Sequence, residues 1–175
     1  MMKRLLILTA VLAVGLWSYA QTGWIQTNSN LTAGQGIGQI SVAMNNPDVF
    51  WAHAIDGDGA IIDGYTVSTD AGMTWTPGSF NAGNGLSMMF AIDANTCWAV
   101  FNTGADQGLY KTTDGGNTWT KKGGVYGSSS FANVIHFFDA NNGFAQGDPV
   151  DGYYELYTTS DGGETWTRVP EANIP

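Results

Sequence analysis

After residue 20 the chain alternates short apolar, β-prone runs with clusters of Gly, Asn, Asp and Ser, and no useful stretch carries apolar residues at i, i+3, i+4 and i+7 without interruption. That pattern predicts strands and turns, with no helix. The strands fall into three sets of four. In each set a first strand (Ile40 to Met44, Ser87 to Ile92, Val134 to Phe138) leads through an Asn/Asp turn into a second (Phe50 to Ala54, Cys97 to Phe101, Phe144 to Gln146). The third strand is Tyr65-Thr66-Val67, Leu109-Tyr110-Lys111 or Tyr154-Glu155-Leu156-Tyr157, and the fourth is expected to start at Thr74, Thr118 or Thr165. Gly-, Ser- and Asn-rich stretches at 77–86 and 121–130 join one set to the next.

Between the third and fourth strands stands a repeated octapeptide. Its copies are Ser68-Thr69-Asp70-Ala71-Gly72-Met73-Thr74-Trp75, Thr112-Thr113-Asp114-Gly115-Gly116-Asn117-Thr118-Trp119 and Thr159-Ser160-Asp161-Gly162-Gly163-Glu164-Thr165-Trp166. The shared pattern is Ser/Thr-x-Asp-x-Gly-x-Thr-Trp, and the three Asp residues are 44 and 47 positions apart. An Asp can accept hydrogen bonds from backbone N–H groups just ahead of it, and a Gly two residues on can take a positive φ, so the octapeptide reads as a turn. The Thr-Trp that follows is bulky and β-prone, suited to packing against the neighbouring unit. A period in the forties ending in a turn and an aromatic strand suits a propeller blade.

These octapeptides resemble Asp-boxes, also called bacterial neuraminidase repeats (BNR), with every hallmark position present in each copy. The resemblance implies an all-β chain of three four-stranded antiparallel β-propeller blades with Asp-box hairpins. It also groups the chain with the propellers of sialidases, oligoxyloglucan reducing-end-specific cellobiohydrolases, sortilin-type receptors and photosystem II assembly factors. Such a motif speaks for fold and says little about function. The expected division is residues 1–20 as a signal peptide, 21–36 as an N-terminal segment with an orphan outer strand at Trp24-Ile25-Gln26-Thr27, and 37–175 as blades at about 37–80, 86–122 and 131–170. Propeller rings take about four or more blades. The chain is therefore expected to be the N-terminal part of a larger propeller whose remaining blades are missing, or else a half-ring that closes by self-association.

Met1-Met2-Lys3-Arg4, an apolar run from Leu5 to Trp17 and Ser18-Tyr19-Ala20 have the basic start, apolar middle and small-x-small end of a secretory signal, with cleavage expected near Ala20-Gln21. The protein is expected to be secreted, to an extracellular, periplasmic or cell-surface location, without membrane association after cleavage. Beyond residue 20 four basic side chains stand against 15 acidic ones, a net charge of −11. Nucleic acid and anionic membranes are poor partners for such a chain. Cys97 is the sole cysteine, so neither an intrachain disulfide nor a zinc site built on paired cysteines can form. No metal or cofactor is expected.

In an up-and-down blade the octapeptide turns share one face with the turns at Asp93 and Asp139, and the loops between second and third strands lie on the other. Those loops read Asp56-Gly57-Asp58-Gly59, Asn102-Thr103-Gly104-Ala105-Asp106 and Gly147-Asp148-Pro149-Val150-Asp151-Gly152. Together they form an acidic rim able to bind a cation or a hydroxyl-rich sugar, or to hold a carboxylate pair for glycoside hydrolysis, with Asp56 or Asp58 facing Asp148 as the candidate pair, and the partner expected is an extracellular glycan or protein. The first loop resembles a fragment of a calcium loop but lacks the downstream Glu. Tyr126, Tyr153 and Tyr154 flank the rim, where they could stack on sugars or pack at an edge. His53 and His136 lie in apolar strands and read as structural. Resemblance to sialidases implies an arginine triad on the substrate carboxylate, yet Arg168 is the only arginine after residue 20, so that site is excluded here. Photosystem-type factors are expected to present basic clusters, which are lacking. The resulting expectation is an extracellular binding or display module, with a xyloglucanase-type glycoside hydrolase as the alternative.

Overall fold

The computed structural model describes residues 26–81, 85–123, 125–127 and 130–174. The signal segment, together with Trp24 and Ile25 of the expected orphan strand, lies outside the described residues; Gln26 to Leu31 have no regular structure.

Among the described residues twelve strands form three four-stranded sheets, each an antiparallel meander in chain order. The first holds β1 (Gly36–Ala43), β2 (Asn46–Ile55), β3 (Ile61–Ser68) and β4 (Thr76–Gly78). The second holds β5 (Leu86–Ala91), β6 (Cys97–Phe101), β7 (Gly108–Thr112) and β8 (Thr120–Lys122). The third holds β9 (Ala132–Phe137), β10 (Gly143–Val150), β11 (Tyr153–Thr159) and β12 (Thr167–Arg168). Short 3-10 turns at Gly104–Asp106 and Glu171–Asn173 are the helical elements among the described residues. Each fourth strand begins two residues later than expected, after the Trp, because the Thr is still held by the octapeptide Asp.

Successive sheets pack face to face, giving one apolar cluster between the first and second and another between the second and third. The same aromatic joint appears in both. Trp51 meets Trp119 of the following sheet with ring centroids 6.0 Å apart at 87°, and Trp98 meets Trp166 at 5.9 Å and 89°. Edge-to-face geometry suits the ring quadrupoles and excludes water from a large area. Innermost strands are also stitched by side chains: the Met89 N–H donates to Gln39 Oε1 and the Ala91 N–H to Ser41 Oγ, each at 2.9 Å. Lys111 reaches across to Glu164 at 3.0 Å while its ammonium lies 5.2 Å from the Trp98 ring.

The octapeptide tryptophans are less alike than their sequence suggests. Trp75 and Trp166 are buried, and their Nε1–H groups donate to Gly72 O at 2.9 Å and Gly163 O at 3.1 Å. Trp119 is half-buried. The carbonyl equivalent to these acceptors, Gly116 O, accepts instead from the Tyr65 hydroxyl of the preceding sheet at 2.9 Å, leaving Trp119 Nε1 without a partner among the described residues. Among the described residues no sheet stands in front of Trp75; it packs on Phe50 of its own sheet, and its carbonyl accepts from Asn30 of the amino-terminal segment at 2.7 Å.

Trp98→Ala removes the side chain that stacks on Phe137 and meets Trp166. It should cost about 3–5 kcal/mol in urea unfolding. Trp75→Ala, which breaks no joint between sheets, should cost clearly less.

Candidate binding surface

The three octapeptide turns close in the same way. In the first, the Ser68 hydroxyl accepts from the Gly72 N–H and donates to Asp70 Oδ1, each at 2.8 Å, while Asp70 accepts from the Thr74 N–H at 2.8 Å and the Thr74 hydroxyl at 2.6 Å. Thr112, Asp114, Gly116 and Thr118 repeat this arrangement, as do Thr159, Asp161, Gly163 and Thr165. Gly72, Gly116 and Gly163 all have φ between 81° and 89°, which a side chain would strain. A backbone N–H of each octapeptide also donates to the segment where the second strand of its own sheet begins, from Ala71 to Asp48 O, Gly115 to Asn95 O and Gly162 to Asn141 O. These turns therefore share one end of the sheets, and their carboxylates are occupied in holding it.

Such hydrogen bonding favours the ionised form. The Thr74 hydroxyl and N–H, helped by the Ser68 hydroxyl, bring the Asp70 carboxyl down to about 2, and the Thr165 groups with Thr159 do the same for Asp161, also about 2. Asp114 is lowered by its Thr118 and Thr112 partners, and Asp139 by Asn142 and Asn141.

At the opposite end, the rim carboxylates divide. Asp56 is a turn residue: its Oδ1 accepts from the N–H groups of Asp58 at 3.0 Å and Ala60 at 2.7 Å. Asp58 is exposed on the same tip. Asp148 belongs to the third sheet, with the second sheet between it and Asp56, and its Oδ1 accepts from Asn133 Nδ2 at 2.6 Å. The expected pair of Asp56 or Asp58 with Asp148 lines neither of two grooves beside the octapeptide turns. One groove of about 430 Å³ is bounded by Val67, Thr69, Thr74 and Asn117, and another of about 380 Å³ by Phe138, Thr158, Ser160 and Thr165. No group of three or more His, Cys, Asp or Glu side chains placed to hold a metal occurs among the described residues.

The 147–152 segment is a strand hairpin instead of a loop. β10 continues through Val150 and turns back into β11 over Asp151 and Gly152, with φ of 55° and 92°, the two positive values that a tight two-residue hairpin requires. The register shifts between Gly147 and Pro149, which places Asp148 at an irregularity. Tyr153 and Tyr154 stand just past the turn, 42% and 50% exposed, and Phe131, whose carbonyl accepts from the Asp148 N–H, is exposed too. Edge packing thus does not account for these two tyrosines. It does account for Tyr126, which packs edge-on against Tyr157 at 5.4 Å and whose burial pushes its phenol pKa far up. Beneath the hairpin Glu155 is buried and accepts from the Tyr157 hydroxyl at 3.1 Å, a contact that strand patterning alone does not reveal. His53 is buried, with its pKa lowered by desolvation, in keeping with a structural role. His136 is exposed, within ring contact of Phe90, Phe138 and Phe144.

No protein-family model and no curated protein matches this chain. Solved structures do: it is similar to YCF48 from Cyanidioschyzon merolae, with 16% identity and a TM-score of 0.56 over 82% of this chain and 42% of that one. It is also similar to the GH74 xyloglucanase from Xanthomonas campestris, with 12% identity and a TM-score of 0.51 over 78% of this chain and 22% of that one. The three sheets are blades of a β-propeller. At these identities the likeness establishes fold alone, and the chain spans less than half the length of either neighbour.

Acid should unpick the octapeptide turns. An unfolded Asp titrates at about 3.9, so a carboxyl lowered to about 2 in the folded blade adds stability that is full above the unfolded value and is lost as pH falls through the folded one. Asp161→Asn should be less stable than the parent at pH 7, and thermal melts should show the difference shrinking between about pH 4 and 2.

Proposed function

We propose that this chain is a binding module of Asp-box type, secreted through its N-terminal signal, that meets a glycan or protein at the hairpin end of its third blade. The observation that carries this reading is the pairing of exposed Tyr153, Tyr154 and Phe131 with the Asp148 carboxylate and Asn133 amide on one blade end. Aromatic faces stack on sugar rings or apolar side chains, while the carboxylate and amide accept and donate to hydroxyl or peptide groups. A two-residue hairpin, with Pro149 paired to Tyr154 and Val150 to Tyr153, holds these groups in place before a ligand arrives, which lowers the cost of ordering them. Binding is favoured over hydrolysis because the octapeptide carboxylates are committed to turns, Asp56 caps its own loop, and Asp148 accepts from the Asn133 amide.

Tyr154→Ala should weaken binding at least about tenfold on glycan and peptide arrays, while unfolding stability stays within about 0.5 kcal/mol because the side chain is exposed. Reducing-sugar release from xyloglucan that disappears in Asp148→Asn or Asp56→Asn, with folding retained, would overturn the non-catalytic reading.

A further inference from the structure

At the rim end of the joint between the second and third blades, three buried polar atoms find no hydrogen-bond partner among the described residues: Glu155 Oε2, Ser130 Oγ and the Tyr126 hydroxyl. Glu155 and Ser130 are only 6% and 7% exposed. The three side chains gather around one glycine. Gly147 pairs with Glu155 across β10 and β11, so both lie on the face that carries Ala145 and Tyr157 toward the second blade. A Cβ on Gly147 would stand 2.8 Å from a Tyr126 ring carbon and 3.1 Å from Ser130 Oγ, so the linker between the blades folds over the space a side chain would fill. Burial, then the charges of Tyr157 and Glu155, push the Tyr126 phenol pKa far up, which puts the Glu155 carboxylate within electrostatic reach of that hydroxyl. The other carboxylate oxygen is already fixed: Oε1 accepts from the Tyr157 hydroxyl at 3.1 Å, which in turn accepts from the Tyr126 N–H at 3.2 Å.

What the cluster lacks is a positive charge. Lys111 and Lys122 are held by Glu164 at 3.0 and 2.8 Å, and Lys121 donates to Ala105 O at 3.2 Å. Arg168, although in register with Tyr157, turns its Nη1 to Glu171 at 3.5 Å. These are all the lysines and arginines beyond residue 20. A carboxylate taken out of water is costly unless it is paired or bound to a metal ion. A water molecule would complete the hydrogen bonds and leave the charge uncompensated.

From this geometry we infer a site for a monovalent alkali cation, sodium or potassium, between Glu155, Tyr126 and Ser130. Carboxylate, phenol and alcohol oxygens are hard donors that suit such an ion, and one carboxylate matches one positive charge. Calcium draws on about six to eight oxygens, commonly from carboxylates, and no second acidic group joins Glu155 in a metal-holding cluster among the described residues. The ion would tie the linker carrying Tyr126 and Ser130 to β11, beneath the hairpin of Tyr153 and Tyr154.

The full chain should melt about 4 °C higher in sodium or potassium chloride than in choline chloride of equal ionic strength, the shift expected when an ion at about ten times its Kd binds only the folded state. Glu155→Gln, which keeps the shape and removes the charge, should melt alike in all three salts. Ser130→Ala, which keeps the charge, should retain a smaller shift. A crystal of the parent grown in rubidium chloride should show an anomalous peak beside Glu155 Oε2, a readout that does not depend on how the variants fold. The inference is overturned if the parent melts alike in sodium and choline salts, if the salt dependence survives in Glu155→Gln, if calcium alone raises the melt, or if the crystal holds an ordinary water between the three side chains.

Discussion

Burial between sheets is the constraint on which the rest of this structure depends. Among the described residues helices are limited to single 3-10 turns, and the one cysteine is free, so neither a helical layer nor a disulfide brings the strands together. A four-stranded sheet can bury its apolar residues only against another sheet, and here the Trp51–Trp119 and Trp98–Trp166 joints do so. Each joint ties the second strand of one blade to the turn of the next, which makes the order of blades in the chain their order in space. Lys111 adds to this by spanning from its own blade to Glu164 and the Gly162 carbonyl of the next.

The acidic character of the chain looks different once its carboxylates have addresses. Asp70, Asp114 and Asp161 are spent on turns, each accepting from a Thr hydroxyl and backbone N–H four residues ahead. Asp93 and Asp139 hold the turns between first and second strands in a similar way. These groups are held by their own turns, which suits architecture. In the proposed reading a partner is met at the opposite end, where the hairpin of the third blade carries exposed aromatic rings next to a carboxylate and an amide. Its neighbours YCF48 and a xyloglucanase share the fold, and a fold of this kind supports recognition or catalysis according to what its loops present.

Strand order, the three-fold repeat and the octapeptide turns were legible in the sequence because they rest on local physics. An Asp that caps the N–H groups ahead of it and a Gly with positive φ act within a few residues, and a period-long repeat of such signals dictates repeated hairpins. The fourth strands were placed two residues early because the Thr serves the turn before it could serve a strand, a competition settled by the Asp70–Thr74 bond and its copies.

What only the tertiary structure decided lies across blades. Three identical Thr-Trp pairs came to have different surroundings: Tyr65 of the preceding blade takes the carbonyl that Trp119 would otherwise use, and Trp75 meets a segment without regular structure. The rim carboxylates, equivalent on paper, were separated into a turn cap at Asp56 and an amide-held group at Asp148, because their partners Ala60 and Asn133 are set by each blade's own pairing. Tyr126 and Tyr154, both close to the rim in sequence, parted into a partly buried ring and an exposed one. Local hydrogen bonds determine how the backbone turns. Which side chains a turn then faces depends on the packing of distant strands, and no single octapeptide encodes that.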